Sequence, residues 1–366
     1  MLVSRTLVNR CAKQMQHACK RNIAAQALKY KGYAVHKPHE KFELWEYEPG
    51  PLAPNDIEIK VTHNGLCHTD LHMRDDDWGL TAYPLIPGHE VVGTVTAVGD
   101  DVAGIARGSR VGVGWIRDSC RRCKNCLRGN ENLCVKGYTG LIVGPNNFGG
   151  FQQVMRAPAD FAYVLPDSLS SAAAAPLLCA GVTVYAPLRK HLKAPGMQVA
   201  VLGVGGLGHL AVQFAAKMGA AVTAVDIDPT KEQEAKKLGA EHFVEFNAAY
   251  EQCKGRFDVI INCVAVRINF QGVLGMLAPD GVAVQCGIPG GGAIIDLNLQ
   301  DVVFGQKSMA GSIVGGRADM AEMLQFCADK GVEPMVQTMK LSQLNEALEL
   351  LKAGKPRYRI VMETDI

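Results

Sequence analysis

Residues 197–208, MQVAVLGVGGLG, constrain this chain more than any other stretch. A short aliphatic run ends in Gly203-Val-Gly205-Gly206-Leu207-Gly208, and an apolar helical pattern over 209–218 follows at once. A parallel strand covered on both faces reads as such an unbroken apolar run. G-x-G-x-x-G between a strand and a helix is the fingerprint of a dinucleotide site. Gly203 makes the tight turn, Gly205 lets the backbone approach a pyrophosphate, and Gly208 permits close packing of helix on strand. Gly206 and Leu207 belong to the same cofactor-binding turn. The helix N-terminus then directs its partial positive charge at the phosphates. The next strand, 221–225, runs into Asp226, 18 residues after Gly208. A carboxylate there accepts hydrogen bonds from the adenosine ribose and repels a 2′-phosphate, which favours NAD over NADP. Asp228 adds to that repulsion, and Lys231 stands ready for a ribose contact.

The alternation continues through a helix at 229–238, a strand at 257–262, a helix near 271–277 and a strand at 282–286. That order specifies an α/β fold with a doubly wound parallel sheet. Cys263 and Cys286 fall at strand ends facing the crevice and read as packing residues. Before Cys179 the pattern changes. Short β-rich runs at 56–62, 91–98 and 109–113, punctuated by Gly and Pro, specify a separate, irregular β-rich domain. A length of 366 residues accommodates two to three domains.

Twelve cysteines in such a chain need a reason. The first 25 residues lack a sustained apolar run, so no secretory signal is expected, and with it no disulfide framework. Four of the cysteines, Cys120, Cys123, Cys126 and Cys134, read C-x2-C-x2-C-x7-C. Tight spacers let successive sulfurs face one ion, and four soft ligands suit a closed, structural Zn²⁺. Arg121, Arg122, Lys124 and Arg128 around them favour thiolates. An iron–sulfur cluster is the rival, disfavoured because no partner redox signature accompanies it. A thiol-redox switch is a third reading of the same lobe.

A second set is dispersed: Cys67 in GLCHTDLH, His89 in PGHE and Cys179 in PLLCAGVT. Two thiolates and an imidazole make a catalytic zinc site with a fourth position open to water or substrate. Spacing alone does not bring them together, and Cys179 by itself reads as a small buried hydrophobe. Their neighbours add to the case. Asp70 can orient a ligating histidine, and Glu90 can swing onto the metal. Thr69 and His72 offer a hydroxyl and an imidazole for a proton exit path.

Basic and acidic residues nearly balance, 38 against 36, which argues against nucleic-acid binding through a basic surface. No membrane span is expected either, because Pro176, Gly181 and Pro187 interrupt the uncharged run 168–188. The charge is unevenly spread. Residues 1–27 carry Arg5, Arg10, Lys13, Lys20 and Arg21 and no acid, so 28–366 hold 33 basic against 36 acidic groups. The segment is amphipathic and resembles a mitochondrial presequence; a plain tail is the alternative. The catalytic body is expected in the cytoplasm, or in the mitochondrial matrix if 1–27 act as an address.

The stretches KGYAV, GLCHTDLH, PGHEVVGTVTAVG, VGVGW, the four-cysteine lobe, PLLCAGVTVY, GVGGLGHLAVQFAAKMGA and RYRIVM together resemble the zinc-dependent medium-chain alcohol dehydrogenases. The closest resemblance is to the cinnamyl alcohol dehydrogenase-like branch, over nearly all of 28–366. It implies a GroES-like β-rich catalytic domain at 28–178 and 314–366, a Rossmann NAD-binding domain at 179–313, and an extension at 1–27. It further implies two Zn²⁺ per chain. Cys67, His89 and Cys179 would hold the catalytic ion, with Glu90 as alternative ligand and Asp70 bonded to His89. Thr69 would pass the substrate proton towards His72 through the cofactor ribose. His68 would lie near the pyrophosphate, Thr183 near the nicotinamide, and Arg359 near a phosphate, with Arg357 a neighbour able to substitute. Trp78 and Trp115 would line an apolar, aromatic-tolerant substrate pocket. A homodimer or homotetramer acting on small alcohols and aldehydes is the implied form.

One departure stands out. Plant members of that branch typically carry a small hydroxyl residue where Asp226 stands, and they prefer NADP. An NADP-dependent aryl alcohol dehydrogenase and a catalytically silent NAD-binding protein are the other readings. A polyol dehydrogenase fits less well, because such proteins often lack the full cysteine lobe.

Overall fold

The computed structural model describes residues 28–288 and 294–366. The basic segment 1–27 lies outside the described residues.

Two sheets organise the molecule. The first has six parallel strands in the order His242–Glu245, Ala221–Asp226, Gln198–Leu202, Phe257–Asn262, Leu277–Gln285 and Ser308–Gly311. The chain winds outward in one direction from Gln198–Leu202, then returns and winds outward in the other. This is the doubly wound order, with a ligand crevice at the reversal. Successive strand side chains alternate between faces. Val199, Val201, Val259 and Ile261 therefore enter one core cluster, while Ala200, Leu202 and Ile260 enter another. Both faces are buried, as the unbroken apolar runs require. The strand His242–Glu245 was not expected from the sequence. It is a short edge strand with exposed ends, so it lacks that apolar signature.

The turn after Gln198–Leu202 leads into the helix Gly208–Lys217. A Cβ at Gly208 would stand 1.8 Å from the Gly203 carbonyl oxygen, so only glycine lets the helix pack this closely. The 229–238 region begins as a 3₁₀ turn, Pro229–Lys231, before the helix Glu232–Lys237.

The second sheet has seven strands. Asp56–Leu66 is central, pairing antiparallel with Val91–Val98, Val154–Pro158 and Arg359–Glu363. Arg110–Val113 and Ala162–Val164 extend one side, and Val336–Lys340 the other. The C-terminal strands thus return to the first half of the chain, which encloses its own core around Ile57, Ile59, Val91, Met155 and Ile360.

Two helices bridge the sheets. Ser171–His191 is continuous, crossing the expected boundary at 178/179. Pro176 and Pro187 lie within it without ending it, and a π turn, Leu177–Gly181, directly follows Pro176. It is long and apolar enough to span a membrane, but 78% of its most apolar window is buried, which marks a core helix. Arg317–Lys330 packs on it through Met320, Met323 and Leu324, in one cluster with strand residues of the six-stranded sheet. The segment after 314 therefore contributes to both cores.

His209 ties the glycine turn to the C-terminal segment. Its Nδ1 donates to the Gly205 carbonyl at 3.0 Å, its Nε2 accepts from the Met335 amide at 3.2 Å, and its ring stacks on Tyr358. Burial pushes its pKa down to about 3, so the folded protein holds it neutral. The unfolded chain binds the proton first on acidification, and stability falls as pH drops below about 6.5. The His209→Asn variant should be less stable than wild type at neutral pH. The gap in melting temperature should narrow steadily towards pH 4; a gap independent of pH would contradict this.

Candidate active site

Asp56–Leu66 ends against Cys67, which begins the helix His68–Asp75. His89 and Glu90 lie just before the neighbouring strand Val91–Val98, and Cys179 sits in the π turn. Such a turn interrupts regular helix geometry and is frequent at functional sites. One ligand atom from each of Cys67, His89, Glu90 and Cys179 lies within 4.8 Å of the others.

Asp70 joins two of these groups. One carboxylate oxygen accepts from His89 Nδ1 and from the Gly88 amide, both at 2.9 Å, and the other accepts from the Cys67 amide at 3.0 Å. The far nitrogen of His89, Nε2, is buried and has no hydrogen-bond partner. Burial opposes charge on His89, but Asp70 and Cys67 outweigh it and push its pKa well up. The neighbouring Cys179, helped by His89, holds the Cys67 thiol well below its usual range against burial. The nearness of Cys67 and burial push Cys179 up.

Glu90 is fully buried and reaches Arg359 through its carboxylate, while its second oxygen lacks a partner. Burial pushes Glu90 up to about 7 against the pull of Arg359. Gly65 makes room for it, since a Cβ there would stand 1.8 Å from Glu90 Oε2. The register Ile360↔Leu66 brings the start of the C-terminal strand to this spot, and Arg359 precedes Ile360. Arg359 Nη1 also lies close over Gly206, and its buried Nε is unpartnered.

Around this centre, Trp115 meets His89 edge-on at 5.3 Å and donates its indole N–H to the Tyr138 hydroxyl at 3.2 Å. Trp78 lies against His72 at 4.8 Å. His72 Nδ1 bonds Asp77 at 2.7 Å. Thr69 is half-buried and His68 exposed on the same helix; Thr183 is buried at the start of the α-helical segment Val182–His191. On the six-stranded sheet, Asp226 accepts from the Val204 amide at 2.6 Å and the Asp228 amide at 3.0 Å, and Lys231 Nζ lies 3.1 Å away. Leu207 is half-buried against the core. Cys263 and Cys286 have thiols pushed up by burial, as packing residues should.

The four-cysteine lobe is a loop closed at its base by the paired strands Ile116–Asp118 and Thr139–Gly140. Cys120, Cys123, Cys126 and Cys134 converge, with Cys123 Sγ 3.5 Å from Cys126 Sγ. Backbone N–H groups at Cys126 and Val135 hold the Cys123 thiol down to about 6. This corrects the expected source of thiolate stabilisation. Arg121 is committed to Asp118 at 3.0 Å and Asp160 at 2.9 Å rather than to the sulfurs. Glu131 docks the lobe on the start of Arg317–Lys330, accepting from the Arg317 amide at 2.8 Å and its Nε at 2.7 Å.

Residues 53–167 match the alcohol dehydrogenase GroES-like domain, and residues 206–329 match the zinc-binding dehydrogenase domain. A probable formaldehyde dehydrogenase of Bacillus subtilis is 41% identical, covering 88% of this chain and 94% of that protein. The chain belongs to the zinc-dependent medium-chain alcohol dehydrogenases. An NADP-dependent alcohol dehydrogenase of Mycolicibacterium smegmatis is 37% identical over 86% of this chain and 91% of its own length. A solved cinnamyl alcohol dehydrogenase of Sorghum bicolor superposes with a TM-score of 0.86 at 37% identity, covering 92% of this chain and 98% of that one.

Members of this family use zinc and a nicotinamide dinucleotide, and the residues present fit both. The orphaned His89 nitrogen beside two sulfurs is a donor set for zinc. The unpartnered Arg359 Nε at the glycine turn is a donor for an anionic phosphate. Contacts in the fold supplied residues that spacing did not reveal. Asn64 accepts from the Glu90 amide at 3.2 Å, Asp77 fixes His72, and Arg359 reaches Glu90 as well as the glycine turn.

Asp70→Asn should weaken zinc affinity roughly 10–100-fold, the usual effect of losing a ligand's hydrogen-bond partner. An amide cannot accept from both His89 and the Cys67 amide as the carboxylate does. Competition with a chelating dye measures the affinity, and an unchanged value would show that Asp70 does not support the site.

Proposed function

We propose that this chain is a zinc-dependent alcohol dehydrogenase that interconverts primary alcohols and aldehydes by hydride transfer with NAD(H). The observation that carries the reading is the convergence of Cys67, His89 and Cys179 around the unpartnered His89 Nε2. Glu90 is the alternative ligand, and Cys120, Cys123, Cys126 and Cys134 hold a second, structural zinc.

When bound, zinc supplies Lewis acidity to the hydroxyl or carbonyl oxygen, and nicotinamide supplies the hydride acceptor or donor. The chain's own groups do the rest. Thr69 Oγ1 takes the substrate hydroxyl proton. His72, three residues on and on the same helix face, passes it to solvent. Asp77 fixes His72 through Nδ1, which leaves Nε2 to exchange the proton. Trp115 and Trp78 wall an apolar pocket that excludes water and accepts aromatic substrates. His68 and Arg359 address the pyrophosphate, and Thr183 the nicotinamide.

Asp226 supports NAD as the preferred cofactor, because its buried carboxylate repels a 2′-phosphate. The NADP-linked names of some relatives keep the phosphorylated dinucleotide as the alternative. The edge strand Ser308–Gly311 and the exposed Leu299, Val303 and Phe304 nearby support pairing with a second copy.

A panel of aliphatic and aromatic alcohols and aldehydes, assayed with NAD(H) and NADP(H) side by side through nicotinamide absorbance, tests the reading. Turnover of primary alcohols with higher kcat/KM for NAD is expected. Full zinc loading without turnover of any alcohol or aldehyde would favour a catalytically silent protein.

A further inference from the structure

Arg357, which the sequence offered only as a substitute for Arg359, has no part in the proposed mechanism. It is exposed, on the C-terminal segment that returns across the end of the strand Ala221–Asp226. Its guanidinium stands 3.2 Å from Glu234, 3.5 Å from Asp228 and 3.5 Å from Thr230 Oγ1. Asp228 and Thr230 follow directly on Asp226, and Lys231 Nζ holds the Asp226 carboxylate. Two cations and three acids therefore ring the place where a strand-end carboxylate meets an adenosine ribose.

The cations are not equivalent. Lys231 is engaged with the buried Asp226. The ion pairs of Arg357 are open to solvent, so they hold it weakly. A 2′-phosphate brings roughly two negative charges and three acceptor oxygens to this spot. A planar guanidinium can fork onto two of those oxygens, which an ammonium cannot do.

We propose that Arg357 is the chain's contact for a 2′-phosphate on the dinucleotide, a specificity residue that sets how far the phosphorylated cofactor is tolerated against Asp226. The inference rests on the reading above only in taking the end of Ala221–Asp226 as the ribose site. It does not depend on which dinucleotide is preferred.

Calorimetric binding of 2′,5′-ADP and 5′-AMP to the full-length, zinc-loaded protein tests it, with wild type, Arg357→Ala and Arg357→Lys. Each is also measured in the Asp226→Ser background, where the repelling carboxylate is gone. In whichever background binds 2′,5′-ADP, Arg357→Ala should weaken it about tenfold or more and change 5′-AMP by less than about twofold. Arg357→Lys should recover part of the loss, because it keeps the charge without the fork. Equal loss of both ligands, or no loss of 2′,5′-ADP, overturns the proposal, and so does failure of 2′,5′-ADP to bind in either background. A wild type that prefers NADP while Arg357→Ala still loses 2′,5′-ADP selectively would overturn the NAD preference and leave Arg357 in its role.

Discussion

Cys67→Ser is expected to abolish alcohol turnover while leaving dinucleotide binding largely intact. A serine hydroxyl stays protonated near neutral pH and is a poor zinc ligand beside a thiolate. The site would then rest on His89, Cys179 and a Glu90 already tied to Arg359. Lewis-acid assistance contributes several kcal/mol to the transition state, so kcat/KM should fall by roughly a thousandfold or more. The glycine turn and Asp226 lie on the other sheet and keep their geometry. Fluorescence titration with reduced cofactor should therefore give a dissociation constant near that of wild type. Full activity in the variant would remove the metal assignment.

The second large effect concerns cofactor choice. Asp226→Ser is expected to raise kcat/KM for NADP relative to NAD by about a hundredfold, because a like charge against the 2′-phosphate costs several kcal/mol. Stability should fall as well, since Asp226 anchors the Val204 and Asp228 amides, and serine can replace at most one of those bonds. The ratio of the two kcat/KM values isolates the charge effect from the loss of stability. A wild type that already prefers NADP, or a ratio that the substitution leaves unmoved, would show that Asp226 does not set the preference.

The features legible in the sequence are those whose parts are close along the chain. The glycine turn is one, because strand, glycines and helix are contiguous and each glycine answers a local steric demand. The cysteine lobe is another, because two-residue spacers by themselves aim sulfurs at one point. The convergence of Cys67, His89 and Cys179 is different. It depends on antiparallel pairing of Asp56–Leu66 with Val91–Val98 and on a helix from the middle of the chain, so family resemblance rather than spacing brought the three together. Spacing gave no sign of the π turn at Cys179, nor of Arg359 reaching Glu90, which requires the last strand to pair with the first half of the chain. The nearby arginines suggested a source for thiolate stabilisation in the lobe. At Cys123 backbone amides supply it instead, and Arg121 is turned to Asp118 and Asp160.

The proposed catalytic metal is held apart from the cysteine lobe. Zinc content per chain, measured by elemental analysis of purified wild type and Cys67→Ser, tests this most directly. Two zinc ions in wild type and one in the variant are expected, the remaining ion belonging to Cys120, Cys123, Cys126 and Cys134. The same content in both proteins would contradict it.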